Sequence, residues 1–322
     1  MVLLELGTLV LSVLVLSRSS AMVVNNVVRL SKFFSISQVA IGFILLALAT
    51  SLPELSVAVV SSSIGEGSIT AGNVFGSNIA NILLILGTGA FLYGMKISQN
   101  DLRDIGLVLV LTTFISVYIV FNSSVQQGAL GVAEGAVLLA IFAAYIWRTM
   151  KNRKAEDEET NGKVTKAEAL NSFLRFGAGV LIVIVSSGFV VNSAVDLARL
   201  AGVAESFIGA TIIAIGTSLP ELSIDLQAIR KKQYGLALGD AIGSNMVNIT
   251  LVLGVGAVIS PIGVNLAVFV AALLFAVIAN TLLLYAAAVN KGLRRFGGTV
   301  FLATYALYLA VIFILQAREL AP

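Results

Sequence analysis

Two glutamates stand deep inside apolar stretches, each directly after the same dipeptide. Ala49 to Ser56 reads ATSLPELS and Gly216 to Ser223 reads GTSLPELS, which places Glu54 and Glu221 in matching contexts. An ionisable residue in hydrocarbon is expensive and marks a functional site by default. Two of them in duplicate settings point to a cation site built from two half-sites. Proline donates no amide hydrogen bond and clashes with the preceding turn, so Pro53 and Pro220 are expected to break their helices just before the glutamates. Carbonyls freed upstream, around Ala47 and Thr50 and around Ala214 and Thr217, then become available as ligands beside the hydroxyls of Ser51 and Ser218. Unwound backbone is tolerated at such depth only where it is buried in protein or lines a cavity.

A second motif is also duplicated. GNVFGSNIANI at Gly72–Ile82 matches GDAIGSNMVNI at Gly239–Ile249. Gly72 with Gly76, and Gly239 with Gly243, have the spacing that lets membrane helices approach closely. Ser77, Asn78 and Asn81, with Ser244, Asn245 and Asn248, add further oxygens. Serines and asparagines of this kind often only glue helices together; two copies, each accompanied by a buried glutamate, favour the site. The chain has no cysteine and no histidine, so thiol chemistry, haem ligation and the usual zinc ligands are excluded. Oxygen ligands alone favour hard cations such as calcium, magnesium or sodium. Two carboxylates balance one divalent or two monovalent ions, and burying them unpaired is costly. A site that must be filled before it can move is the physical basis of exchange rather than uniport.

The elements that position these residues are membrane helices. Of 322 residues, 58% are hydrophobic and only 11% charged, and the mean hydropathy is +1.00. Soluble domains carry about a quarter charged residues. Ten apolar runs are long enough to span, at roughly 20 residues each: 2–28, 38–62, 69–93, 104–121, 128–148, 171–194, 206–229, 234–259, 264–288 and 297–317. The net charge of +3 is read as basic residues marking cytoplasmic loops. With both termini outside, the inner loops hold Arg29, Lys32, Lys96, Arg103, the central loop, Arg230 to Lys232, Lys291, Arg294 and Arg295; the outer segments keep Arg199 and Arg318. Arg18 fits neither side and is expected to pair internally or snorkel. The first run carries Glu5 and no preceding basic residue, unlike a cleaved signal peptide.

The halves align at a constant offset of 167 residues, as SSAMVVN at Ser19–Asn25 and SSGFVVN at Ser186–Asn192 also show. Five spans per repeat is an odd number, so the second repeat enters the bilayer from the opposite side. Inverted repeats are the architecture of secondary transporters. The expected fold is therefore an all-α integral membrane protein of ten helices in two inverted five-helix repeats: 1–148 with its motif at 42–87, a polar cytoplasmic linker at 149–169, and 170–322 with its motif at 209–254.

At these residues the chain resembles the calcium:cation antiporter superfamily, in particular prokaryotic sodium/calcium exchangers. The resemblance implies exchange of calcium for sodium by alternating access across the cell membrane, with these ions as transported species, no cofactor and no obligate protein partner. It further implies metal ligands at Ser51, Glu54, Ser77 and Asn81, with carbonyls near Ala47 and Thr50. In the second half the ligands are Ser218, Glu221, Ser244 and Asn248, with carbonyls near Ala214 and Thr217. The first and sixth helices, carrying SSAMVVN and SSGFVVN, are implied to slide across the core. The chain departs from several such exchangers in having Asn248 where they have aspartate. It also has Asp225 where the first repeat has Ala58, and Asp240 where it has Asn73. These acids suggest an inner vestibule or a proton-linked group, or pairing with Arg230, Lys231 or Lys232 near the surface.

Proton coupling on the same scaffold is the nearest alternative. A cation channel is disfavoured, because channels usually build rings of charge by subunit symmetry. An intramembrane protease is weaker still, since LGD at Leu238–Asp240 lacks a paired-aspartate motif.

Overall fold

Within lipid every backbone donor and acceptor must be satisfied by the chain itself, so a sequence this apolar folds into helices. The computed structural model describes residues 2–125, 130–151, 164–201, 216–262 and 266–319. The helices, in order, are α1 (Val2–Phe34), α2 (Gln38–Thr50), α3 (Leu52–Ser63), α4 (Gly67–Tyr93), α5 (Gln99–Val125) and α6 (Val132–Lys151). They continue with α7 (Lys166–Leu200), α8 (Leu219–Arg230), α9 (Tyr234–Ile259), α10 (Leu266–Ala288) and α11 (Arg295–Glu319). Two short strands, β1 (Met95–Lys96) and β2 (Gly292–Leu293), pair antiparallel.

Among the described residues seven helices are long and apolar enough to cross a membrane, and α2 with α3 adds an eighth if the bent pair is one span. In α5 the apolar stretch, Ile105–Tyr118, is shorter. The expected span at 206–229 is described only from Gly216 onward, and most of the linker at 149–169 lies outside the described residues. The end of that linker starts α7 with a capping box. Thr165 Oγ1 accepts from the Glu168 amide, and the Glu168 carboxylate accepts from the Thr165 amide. Those bonds hold the Glu168 carboxyl below the usual carboxylate range.

Burial sorts the helices into centre and rim. The apolar windows of α4 and α9 are 78% buried, against 17% in α1 and 22% in α6 and α11. The rim helices turn large apolar groups outward, among them Phe114, Trp147 and Phe296, as a lipid-facing surface requires. α1 lies along α7 and α5 along α10. Gly179 allows the first approach: a Cβ there would stand 2.8 Å from Val23 Cγ2. In the core, Gly243 brings α9 onto α2, where a Cβ would meet Phe43 Cα at 2.8 Å.

The centre is joined by asparagines rather than by apolar packing alone. Asn78 Nδ2 donates to the Asn245 carbonyl (3.2 Å), and Asn245 Nδ2 donates to the Asn78 carbonyl (3.1 Å). Asn81 Nδ2 donates to Asn245 Oδ1, and Asn248 Nδ2 donates to Asn78 Oδ1. Asn78 and Asn245 are 167 residues apart, the offset of the sequence repeat. Thr113 and Asn280 share that separation and also meet, Asn280 Nδ2 donating at 2.6 Å. In a membrane the apolar effect does not distinguish helix from lipid, so such contacts and close packing carry helix association.

The two ends of the bundle differ. α1 is stitched to α8 by polar contacts: Gln227 Nε2 to Ser17 Oγ (3.0 Å), Ser20 Oγ with Ser223 Oγ (2.7 Å), and Lys231 Nζ to Asn25 Oδ1 (2.7 Å). The matching face of α3 is uncovered, with Val59 39% and Val60 64% exposed.

The asparagine quartet generates a stability prediction. Replacing Asn245 by alanine strands the Asn81 amide group, costing about 1–3 kcal/mol, and removes a bond to the Asn78 carbonyl. Thermal denaturation in detergent should show a lower Tm for Asn245→Ala than for Thr304→Ala, a change on α11 remote from the quartet.

Candidate cation site

The helix breaks fall where the prolines dictate. α2 ends at Thr50, α3 begins at Leu52, and their axes bend by 44°. Pro53 and Pro220 each occupy the first turn of the helix that follows, where a missing N–H costs nothing. The joining residues adopt the same conformation, Ser51 at φ −79°, ψ 7° and Ser218 at φ −89°, ψ 9°. Glu54 and Glu221 therefore sit in the first turns of α3 and α8, where the helix dipole favours negative charge. Both are buried, at 0% and 1% exposure.

α4 and α9 bring the remaining groups. Asn81 lies in a π-helical stretch at Ala80–Leu86, and Asn248 begins another at Asn248–Val252. Such widened turns recur at functional sites, and no residue pattern announces them. Ser218 Oγ donates to Ser77 Oγ (3.3 Å), which donates to Glu54 Oε1 (3.4 Å), linking the halves at the carboxylate. Thr50 Oγ1 pairs with Ser244 Oγ (3.3 Å) and donates to Asp240 Oδ1 (3.2 Å). At the equivalent place Thr217 Oγ1 donates to Asn73 Oδ1 (3.3 Å).

The arrangement leaves oxygens over. Ser51 Oγ, Glu54 Oε2, Asn81 Oδ1, Glu221 Oε2 and Asn248 Oδ1 are all buried without a hydrogen-bond partner. In both asparagines the amide nitrogen is spent on the quartet, and the oxygen is what remains. Buried acceptors are normally satisfied, and these oxygens could serve a hard cation. Among the described residues no three acidic side chains form a metal-ligating group. The donor set is thus carboxylate oxygen mixed with neutral hydroxyl and amide oxygen.

Some expectations need correction. The Ala47 carbonyl keeps its helical bond, accepting from the Ser51 amide (3.1 Å), so any ligation there uses its second lone pair. Pro53 removes the donor four residues after Ala49, so Ala47 keeps its helical bond. Ala214 lies outside the described residues. Asn78 and Asn245 spend their side chains on the quartet and are helix fasteners, not spare ligands. Surface pairing of Asp225 and Asp240 does not occur: both are 0% exposed. Lys231 instead reaches the Ala21 carbonyl and Asn25 of α1. Arg18 is exposed on α1. Asn73, which receives Thr217, was marked in the sequence only as the counterpart of Asp240.

A family model described as sodium/calcium exchanger protein matches residues 4–151 and 171–314. A membrane protein of Methanocaldococcus jannaschii is 32% identical over 313 residues, 96% of this chain and 98% of its own. The sodium/calcium exchanger MaX1 of Methanosarcina acetivorans is 27% identical over 344 residues, covering 95% of this chain and 97% of MaX1. The solved structure of the sodium-calcium exchanger NCX_Mj soaked with sodium superimposes with a TM-score of 0.83 at 30% identity. That match covers 96% of this chain and 99% of NCX_Mj. With the family model spanning both halves and their proline-glutamate motifs, the chain belongs to the sodium/calcium exchanger family.

Proposed function

We propose that the chain is a secondary active antiporter that exports calcium in exchange for entering sodium, by alternating access across the plasma membrane. The observation that carries this reading is the set of unpartnered oxygens drawn from both halves: Ser51, Glu54 and Asn81 with Glu221 and Asn248. Glu54 and Glu221 are the charged ligands. Ser51, Asn81 and Asn248 complete the shell with neutral oxygens, and the Ser77, Ser218 and Ser244 hydroxyls border it. Carbonyls at the breaks, near Thr50 and Thr217, remain further candidates. Two carboxylates accept either one calcium or two sodium ions at equal charge, and that equivalence is the basis of competition. MaX1 and NCX_Mj, both named as sodium/calcium exchangers, support sodium as the coupling ion.

The scaffold is read as ten spans in two inverted repeats, divided at the 149–169 linker, with both termini outside. The contacts between residues 167 apart support it. In that orientation the α1–α8 contacts seal the cytoplasmic end, and the uncovered face of α3 belongs to the outer end. Ion access is then from outside in this conformation. Sliding α1 and α7 across the core exchanges the two ends.

Two outcomes are expected. Glu54→Gln or Glu221→Gln removes a buried charge, a loss of about 3 kcal/mol or roughly a hundredfold in affinity. Calcium exchange in proteoliposomes should fall to near background in each; normal transport in both would sink the assignment. In wild-type vesicles, calcium uptake should follow an imposed sodium gradient without a pH difference. Uptake that follows only a proton gradient at matched membrane potential would instead make this a proton-coupled member of the family.

A further inference from the structure

Beside the site the two halves differ in charge. Thr217 of the second half meets Asn73 of the first, and in the matching contact Thr50 of the first half meets Asp240 of the second. Ala58 lies where the second half has Asp225. One half therefore offers an amide and a methyl group where the other offers two carboxylates. Asp225 and Asp240 are both fully buried and lie within hydrogen-bonding reach of each other. Asp240 Oδ1 is held by Thr50 Oγ1, while Asp240 Oδ2 and both oxygens of Asp225 have no partner.

No basic side chain among the described residues answers this charge. Among the described residues no lysine or arginine is ion-paired with Glu54, Glu221, Asp225 or Asp240. Arg230 and Lys232 are exposed, and Lys231 is spent on α1. One calcium between Glu54 and Glu221 balances those two alone. Two further buried carboxylates remain, and an ion pair lacking its positive member is strongly disfavoured in such surroundings.

We propose that Asp225 and Asp240, with the Thr50 and Ser244 hydroxyls, form a second subsite for a hard cation, one helical turn from Glu221 toward Arg230. Thr50, a member of this subsite, also reaches Glu221 of the main site, so occupancy of one is felt at the other. The subsite makes the two halves unequal in the number of ions they hold. It rests on the antiporter reading but is tested separately from it.

The test counts ions. Purified protein in detergent at fixed pH is equilibrated with radioactive calcium, and separately with radioactive sodium, and bound ions per chain are measured at saturation. The same is done for the double variant Asp225→Ala, Asp240→Asn, which installs the residues the first half already uses. The expected result is one more bound ion in wild type than in the variant, in the calcium arm, the sodium arm or both. Equal counts in both arms, with protons taken up as cations are removed, would overturn the subsite. Wild type that binds neither ion would overturn the antiporter reading itself. If the double variant fails to fold, Asp225→Asn keeps side-chain volume and should weaken the additional ion about tenfold. Unchanged affinity there also overturns the proposal.

Discussion

Four carboxylates lie buried in the middle of this membrane protein, with no lysine or arginine paired to them among the described residues. The rest of the structure follows from that constraint. Buried negative charge must be met by a proton or a cation, and a chain without cysteine or histidine can hold a metal cation only through oxygen. A protein in which the missing charge is a mobile ion has a reason to bind it, and a penalty for moving without it.

The fold converts the constraint into geometry by a few local devices. Proline placed at a helix start ends the preceding helix without wasting a donor, and it sets each glutamate at a helix N-terminus. The asparagine quartet fixes α4 against α9 and leaves the amide oxygens of Asn81 and Asn248 unspent. Glycines in α9 let α2 come close enough for Thr50 to reach Asp240 and Ser244. Each device is small, and each places an oxygen donor where the carboxylates need company. Sodium and calcium have similar radii but different charge, so a mixed carboxylate and neutral shell admits both and separates them by number.

Much of this was legible in the sequence because the features were duplicated. A single GxxxG or a single serine carries little information, whereas two copies at one offset isolate the residues that recur with the glutamates. The helix breaks at Pro53 and Pro220 were readable because proline acts through a local backbone rule. The helical bond that Ala47 keeps follows from counting four residues back from Pro53, which reaches Ala49 and not Ala47. The division of labour among asparagines was not readable, since Asn78 and Asn81 share a helix face and only the partner helix decides which amide is consumed. The π-helical turns at Asn81 and Asn248 have no local residue code. The burial of Asp225 and Asp240 was hidden by Arg230, Lys231 and Lys232 nearby in sequence, whose side chains lead elsewhere in space.

The central claim, a cation held between the two half-sites, is met most directly by locating the ion. Crystals soaked in strontium, a calcium surrogate, and measured near its absorption edge would give an anomalous difference map. A peak between Glu54 and Glu221, at about 2.3–2.6 Å from their oxygens and those of Asn81 and Asn248, is the result predicted here. Strontium bound only elsewhere, with that space filled by water, would contradict it.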